Sequence, residues 1–253
     1  MHKLLRTALL AASLAASAGA ALADEVVGER RAVDARAVRV NLDGVVGLKL
    51  KQGPSAALTL YGEKRYLDKI NVTQSGDTLR IDSALRGVRL GRNELRAELT
   101  LPNLRELVSG GVGSAEVDGF SGEELRLALE GAGAVKVKAD YRKVSVKLGG
   151  VGGMTVDLGR SDDVELKLRG AGQIQISGQS KTLRADLGGI GSLDAQQLQA
   201  DSVELNLSGL GGATVYARNA ARLTLSGMGS ATVYGKPATR SAATHGMGGV
   251  SWQ

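Results

Sequence analysis

The chain has 253 residues, of which 36 are Gly and 43% are apolar, with no Cys, 3 Pro and a net charge of +6. Gly stands at about twice its usual share, yet it has no strict three-residue period and Pro is scarce, which excludes collagen and linker-like low complexity. The apolar content supports a packed core rather than disorder, and Lys and Arg are interleaved with Asp and Glu instead of forming the basic face of a nucleic-acid binder.

Residues 1–23 read as an export signal. Lys3 and Arg6 form a basic start, Ala8 to Ala18 an apolar stretch, and Ala21-Leu22-Ala23 a small-residue cleavage site. The apolar stretch is too short and too Ala-rich to span a membrane. Cleavage near Ala23 leaves 30 basic and 26 acidic side chains, a net charge of +4, in a periplasmic or secreted chain. No Cys remains for disulfides or an N-terminal lipid anchor, and no second apolar span follows.

Residues 24–36 read as a polar leader. Over 37–107 short alternating runs follow, such as Val38, Val40, Leu42 and Leu95, Ala97, Leu99, Leu101. They predict β structure continuous with the region after it and covering its N-terminal end. Only Tyr66 to Lys69 suggests a helical turn.

Over 108–253 the chain repeats itself. Gly-x-Gly occurs with Val112, Ala132, Val151, Ala171, Ile190, Leu210, Met228 and Met247 at its centre, at spacings of 20, 19, 20, 19, 20, 18 and 19. Three and five places after each centre the residues are apolar, from Ala115 and Val117 to Val250 and Trp252, with polar residues between them such as Glu116 and Lys136. Period-two alternation means a strand. A second alternating run, such as Leu125, Leu127, Leu129, precedes most centres, so each repeat predicts two short strands. The period is too short for helical repeats or propeller blades, and the Asn ladder of leucine-rich repeats is missing. An all-β fold, a parallel β-helix of eight coils with 19 to 20 residues each, fits this pattern. The glycines become structural corners: Gly111 and Gly113, Gly131 and Gly133, Gly150 and Gly152, Gly170 and Gly172, Gly189 and Gly191, Gly209 and Gly211, Gly227 and Gly229, Gly246 and Gly248.

Stacking in register places equivalent outward residues side by side. Glu165, Arg184, Glu204 and Arg222 then form one column of alternating sign, and Asp118, Lys138 and Asp157 another.

The ordered motifs Val40-Asn41-Leu42-Asp43-Gly44, Gln52-Gly53, Leu58-Thr59-Leu60, Ile70-Asn71-Val72 and Leu79-Arg80-Ile81, then Glu98 to Leu107 leading into Ser109-Gly110-Gly111-Val112-Gly113, resemble the GIN-domain family, the "putative auto-transporter adhesin, head GIN domain". The resemblance spans about residue 36 to the end. It implies a secreted, right-handed β-helix and brings no catalytic residues with it.

The residues themselves point to no catalytic, cofactor or metal site. Each Gly-x-Gly leads into a strand, whereas a phosphate cradle needs a helix N-terminus. Calcium-binding β-rolls need Asp two places after the second Gly; residues such as Ala115, Val135 and Met154 supply no carboxylate. Asp118 and Asp157 sit near the separation of a glycosidase pair, but Lys138 between them favours a neutralised ladder. His245 lies at the last corner without a carboxylate or nucleophile beside it. A possible ligand platform is formed by Tyr216 and Tyr234, six places after their centres, with Thr214 and Thr232 beside them. The expectation is a non-enzymatic exported module of adhesion type that binds a polysaccharide or envelope protein. The alternatives are a carbohydrate-active enzyme on a β-helix and a structural protein that self-associates through its C-terminal coil.

Overall fold

The computed structural model describes residues 26–85 and 95–253, so the signal read over residues 1–23 lies outside the described residues. The N-terminal part contains β1 (Val26–Arg31), β2 (Arg39–Leu42), β3 (Gly47–Gln52), β4 (Ala57–Glu63), a one-turn helix α1 (Lys64–Leu67), β5 (Ile70–Ser75), β6 (Thr78–Ser83), β7 (Arg96–Leu101) and β8 (Glu106–Ser109). The repeats follow as β9 (Val112–Leu129), β10 (Ala132–Leu148), β11 (Val151–Leu168), β12 (Ala171–Leu187), β13 (Ile190–Leu207), β14 (Leu210–Leu225), β15 (Met228–Tyr234), β16 (Thr239–Thr244) and β17 (Val250–Trp252).

The chain is a parallel β-solenoid of about seven turns. From β9 to β14 each coil is one continuous strand instead of two short ones, because the backbone goes on pairing with its neighbours while it bends round the far side. Register is kept at the corner, where Gly133 lies opposite both Gly113 and Gly152, and along the inward positions, where Val135 lies opposite Ala115 and Met154. Register shifts fall on the far side, for example between Asp157 and Arg160 and between Ala195 and Gln199. Repeats of unequal length therefore stack cleanly, the extra residue being absorbed as a bulge. The eighth Gly-x-Gly leads into the three-residue β17.

The residues three and five places after each centre are buried from Ala115 to Val233. One apolar cluster runs from Ala37 to Val233, which makes the N-terminal part and the repeats share a single core. β2 and β3 start the two faces in parallel with the coils, β2 on β8 and β3 on β7 and β9. Outside them the pairing turns antiparallel: β4 on β7, β1 on β4 and β5 on β6. The segment expected to be a polar leader thus supplies an edge strand, with Val27 packed on the core. The helical turn begins at Lys64, two residues before the expected position, and buries Leu67.

At the other end Trp252 extends the inward column of Val233. The Arg240 guanidinium lies 5.4 Å from the centre of its ring, and Arg240 Nε donates to the Pro237 carbonyl at 2.9 Å. An aromatic ring under a cation covers the last apolar layer.

The charge columns keep their register but not their pairing. Glu165 stands level with Arg184, yet Lys167 on the same strand takes Glu165 at 2.6 Å and Arg184 reaches Asp163 at 2.8 Å. An inter-coil ladder closes on the far side instead, where Asp162 lies between Arg142 at 2.9 Å and Lys181 at 2.6 Å. The hydrogen bonds from Lys181 and Arg142 hold its carboxyl below the usual range.

Two inner features fix the solenoid. At the corner, a Cβ on Gly170 would overlap the Gly150 carbonyl oxygen, and one on Gly211, whose φ is +142°, would overlap that of Gly191. On the far side, buried Tyr141 donates its hydroxyl to the Leu104 carbonyl at 2.7 Å, tying the coils to the N-terminal part. Burial pushes the phenol up to about 12.

Gly211→Ala should lower stability by about 3 kcal/mol in denaturant melts, while Gly249→Ala, whose Cβ would meet nothing within 4 Å, should stay within about 0.5 kcal/mol of the parent. Tyr141→Phe should cost about 1 kcal/mol near neutral pH. The fold favours the neutral phenol, so its contribution is full below pH 10 and falls as pH rises towards 12. The gap between parent and variant should therefore narrow above pH 10 in paired thermal melts.

Candidate binding surface

Among the described residues the corner holds most of the exposed large apolar side chains. Counting outward from the buried position three places on, the residue between the two glycines must face solvent. Among the described residues seven large apolar side chains are exposed, and all but Val26 are such centres: Val112, Val151, Ile190, Leu210, Met228 and Met247, the last 74% exposed. Ala132 and Ala171 complete the column in register, and Val45 extends it by one coil through its bridge to Val112. The result is a ridge one side chain wide with glycine backbone on both sides. Contiguous exposed apolar surface is a feature characteristic of contact sites. The signal was present in the sequence as an apolar residue at every outward centre; reading the repeat only for its inward positions and its glycines passes over it.

Beside the ridge runs a shallow groove of about 1010 Å³ floored by Gly170, Gly189, Gly209 and Gly227. Arg169 stands near one end and His245 near the other. His245 is exposed, and its backbone N–H continues the ladder to the Leu225 carbonyl at 2.7 Å.

The structure brings the expected platform together. Thr214 pairs with Thr232 and Tyr216 with Tyr234 across β14 and β15, all four side chains half-buried. Gly235, at φ +95°, leaves room for the Tyr216 ring, which a Cβ there would approach to 3.0 Å. Asp194 stands level with Thr214, and exposed Arg218 and Lys236 lie two places beyond the tyrosines.

The carboxylates are arranged for structure. Lys138 stands level with both Asp118 and Asp157, and Asp157 accepts from Ser177 Oγ at 3.0 Å. The structure adds Asp140 to the same small concavity of about 340 Å³, where it accepts the Arg160 backbone N–H at 3.3 Å. Among the described residues no group of His, Cys, Asp or Glu could hold a metal ion, and no helix is long and apolar enough to cross a membrane.

With this geometry in place, likeness to known proteins is informative. No curated protein matches the chain. A "putative adhesin" from Parabacteroides distasonis has a crystal structure that superposes with a TM-score of 0.83 at 19% identity, covering 91% of this chain and 98% of its own. A second "putative adhesin", from Parabacteroides merdae, gives 0.77 at 16% identity over 89% and 96%. A "putative lipid binding protein" from Parabacteroides distasonis gives 0.70 at 19% identity over 90% and 96%. At these identities the likeness is one of fold. The family model described as "Putative auto-transporter adhesin, head GIN domain" matches residues 38–237, and the chain belongs to that family.

Proposed function

We propose that the chain is an exported, non-enzymatic binding module of adhesion type, and that it engages a polysaccharide or an envelope protein through the side of its last coils. The observation that carries this reading is the juxtaposition of Tyr216 on Tyr234 and Thr214 on Thr232, with Met228 exposed at the start of the same strand. Phenol rings give a sugar ring an apolar face to stack on and a hydroxyl to bond with; the threonines add further hydroxyls. The Asp118, Asp140 and Asp157 group does not favour the enzymatic alternative, since Lys138 stands level with two of them and Ser177 and the Arg160 amide already bond to Asp157 and Asp140.

The purified protein should be retained by at least one class of isolated envelope polymer in co-sedimentation or on a glycan array, without turnover of it. Tyr216→Ser combined with Tyr234→Ser should reduce that retention at least tenfold. Unchanged retention by the double variant would remove the tyrosine platform. Release of soluble fragments from the polymer would overturn the non-enzymatic reading.

A further inference from the structure

The ridge carries an order of sizes that the coil repeat does not require. From Val45 onward it reads Val45, Val112, Ala132, Val151, Ala171, Ile190, Leu210. Counted out from Val151 the apolar residues are matched as far as Leu210, with alanine on either side, then Val112 against Ile190 and Val45 against Leu210, while Met228 and Met247 continue the ridge on one side. Charge around it is ordered too. In the band from two places before each centre to two places after, over the coils from Val45 to Leu210, the charged side chains are Asp43, which is paired with Arg80 at 2.7 Å, and Glu130 and Arg169. Glu130 and Arg169 have opposite sign, lie in the same column, and stand one coil to either side of Val151. Glu130 is exposed and lies over Gly149, with Lys147 on one oxygen at 2.8 Å. Arg169 is exposed against Gly188 and forms no ion pair with the described residues.

We infer that this ridge is the interface of a twofold dimer in which a second copy, turned end for end about Val151, lies against the first. A twofold axis across the corner maps each coil onto its mirror position and keeps the column before the ridge facing its equivalent. Glu130 of each copy then meets Arg169 of the other, twice. The two ridges cross at Val151, where the flanking Ala132 and Ala171 permit close approach. Away from the crossing the ridges splay apart, and the larger Ile190 and Leu210 of one copy come against the glycine backbone at Gly111 and Gly44 of the other. Small residues at the crossing and large ones at its ends are what this geometry needs. At about 4.8 Å per coil and about 3.3 Å per residue, seven coils by five residues give about 550 Å² on each copy. That is the lower end of specific interfaces and corresponds to a reversible dimer in the micromolar range. Met228 and Met247 lie beyond the overlap, which leaves the last coils free.

Analytical ultracentrifugation of the full chain should show a monomer–dimer equilibrium with a dissociation constant of micromolar order. Arg169→Glu and Glu130→Arg should each weaken it at least tenfold, and the double exchange should return it to within threefold of the parent, because the pair is re-formed across the axis. The chain has no Cys, so single cysteines report register: Val151→Cys should yield a disulfide-linked dimer under mild oxidation and Met247→Cys should not. A monomer at all concentrations up to about 1 mM, a dimer indifferent to both charge reversals, or equal cross-linking at residue 247 would overturn the proposal. The last two results would instead indicate end-to-end or parallel association. Unchanged thermal melting of the charge variants separates a lost interface from a lost fold.

Discussion

Everything in this molecule depends on how closely one coil can lie on the next at its corner. The backbone turns there within a few residues, and the carbonyl oxygen of one glycine occupies the space that a side chain on the glycine above would need. With two such columns fixed, each coil has one permitted register on its neighbour, and the apolar residues three and five places further on fall into line. The core follows from the corner, since a one-residue slip would turn every buried side chain outward.

The corner could be read from the Gly-x-Gly spacing and the inward face from the alternation after it, because both are set by local geometry repeated many times. Features that depend on one coil meeting something unlike itself could not. Val26 to Arg31 has neither the length nor the alternation of a convincing strand and becomes one because β4 offers it an edge. The Arg240 and Trp252 cover is built by residues twelve apart in a coil that departs from the repeat. Side-chain pairing was also out of reach: register predicts that Glu165 faces Arg184, but long side chains choose among several partners, and Lys167 and Asp163 take them.

The candidate surface divides in the same way. The stacking of Tyr216 on Tyr234 was legible from their equal offsets. The ridge was written in the same repeat, yet its meaning needed the exposure of the centres, because an apolar residue between two glycines reads equally well as part of a buried turn. Structure also joins Asp140 to Asp118 and Asp157 through the bulge on the far side, where offsets along the chain cease to correspond to positions in space.

If glycine-defined register is the governing constraint, the solenoid is modular and a coil can be removed whole. Excising Val151–Gly170, the 20 residues from one centre to the next, joins Gly150 to Ala171 and leaves both glycine columns and both faces intact. A crystal structure of that deletion should show a cooperatively folded solenoid shorter by one step of about 4.8 Å, with Gly172 seated on Gly133. A deletion that fails to fold, or that folds with those glycines out of register, would contradict the account.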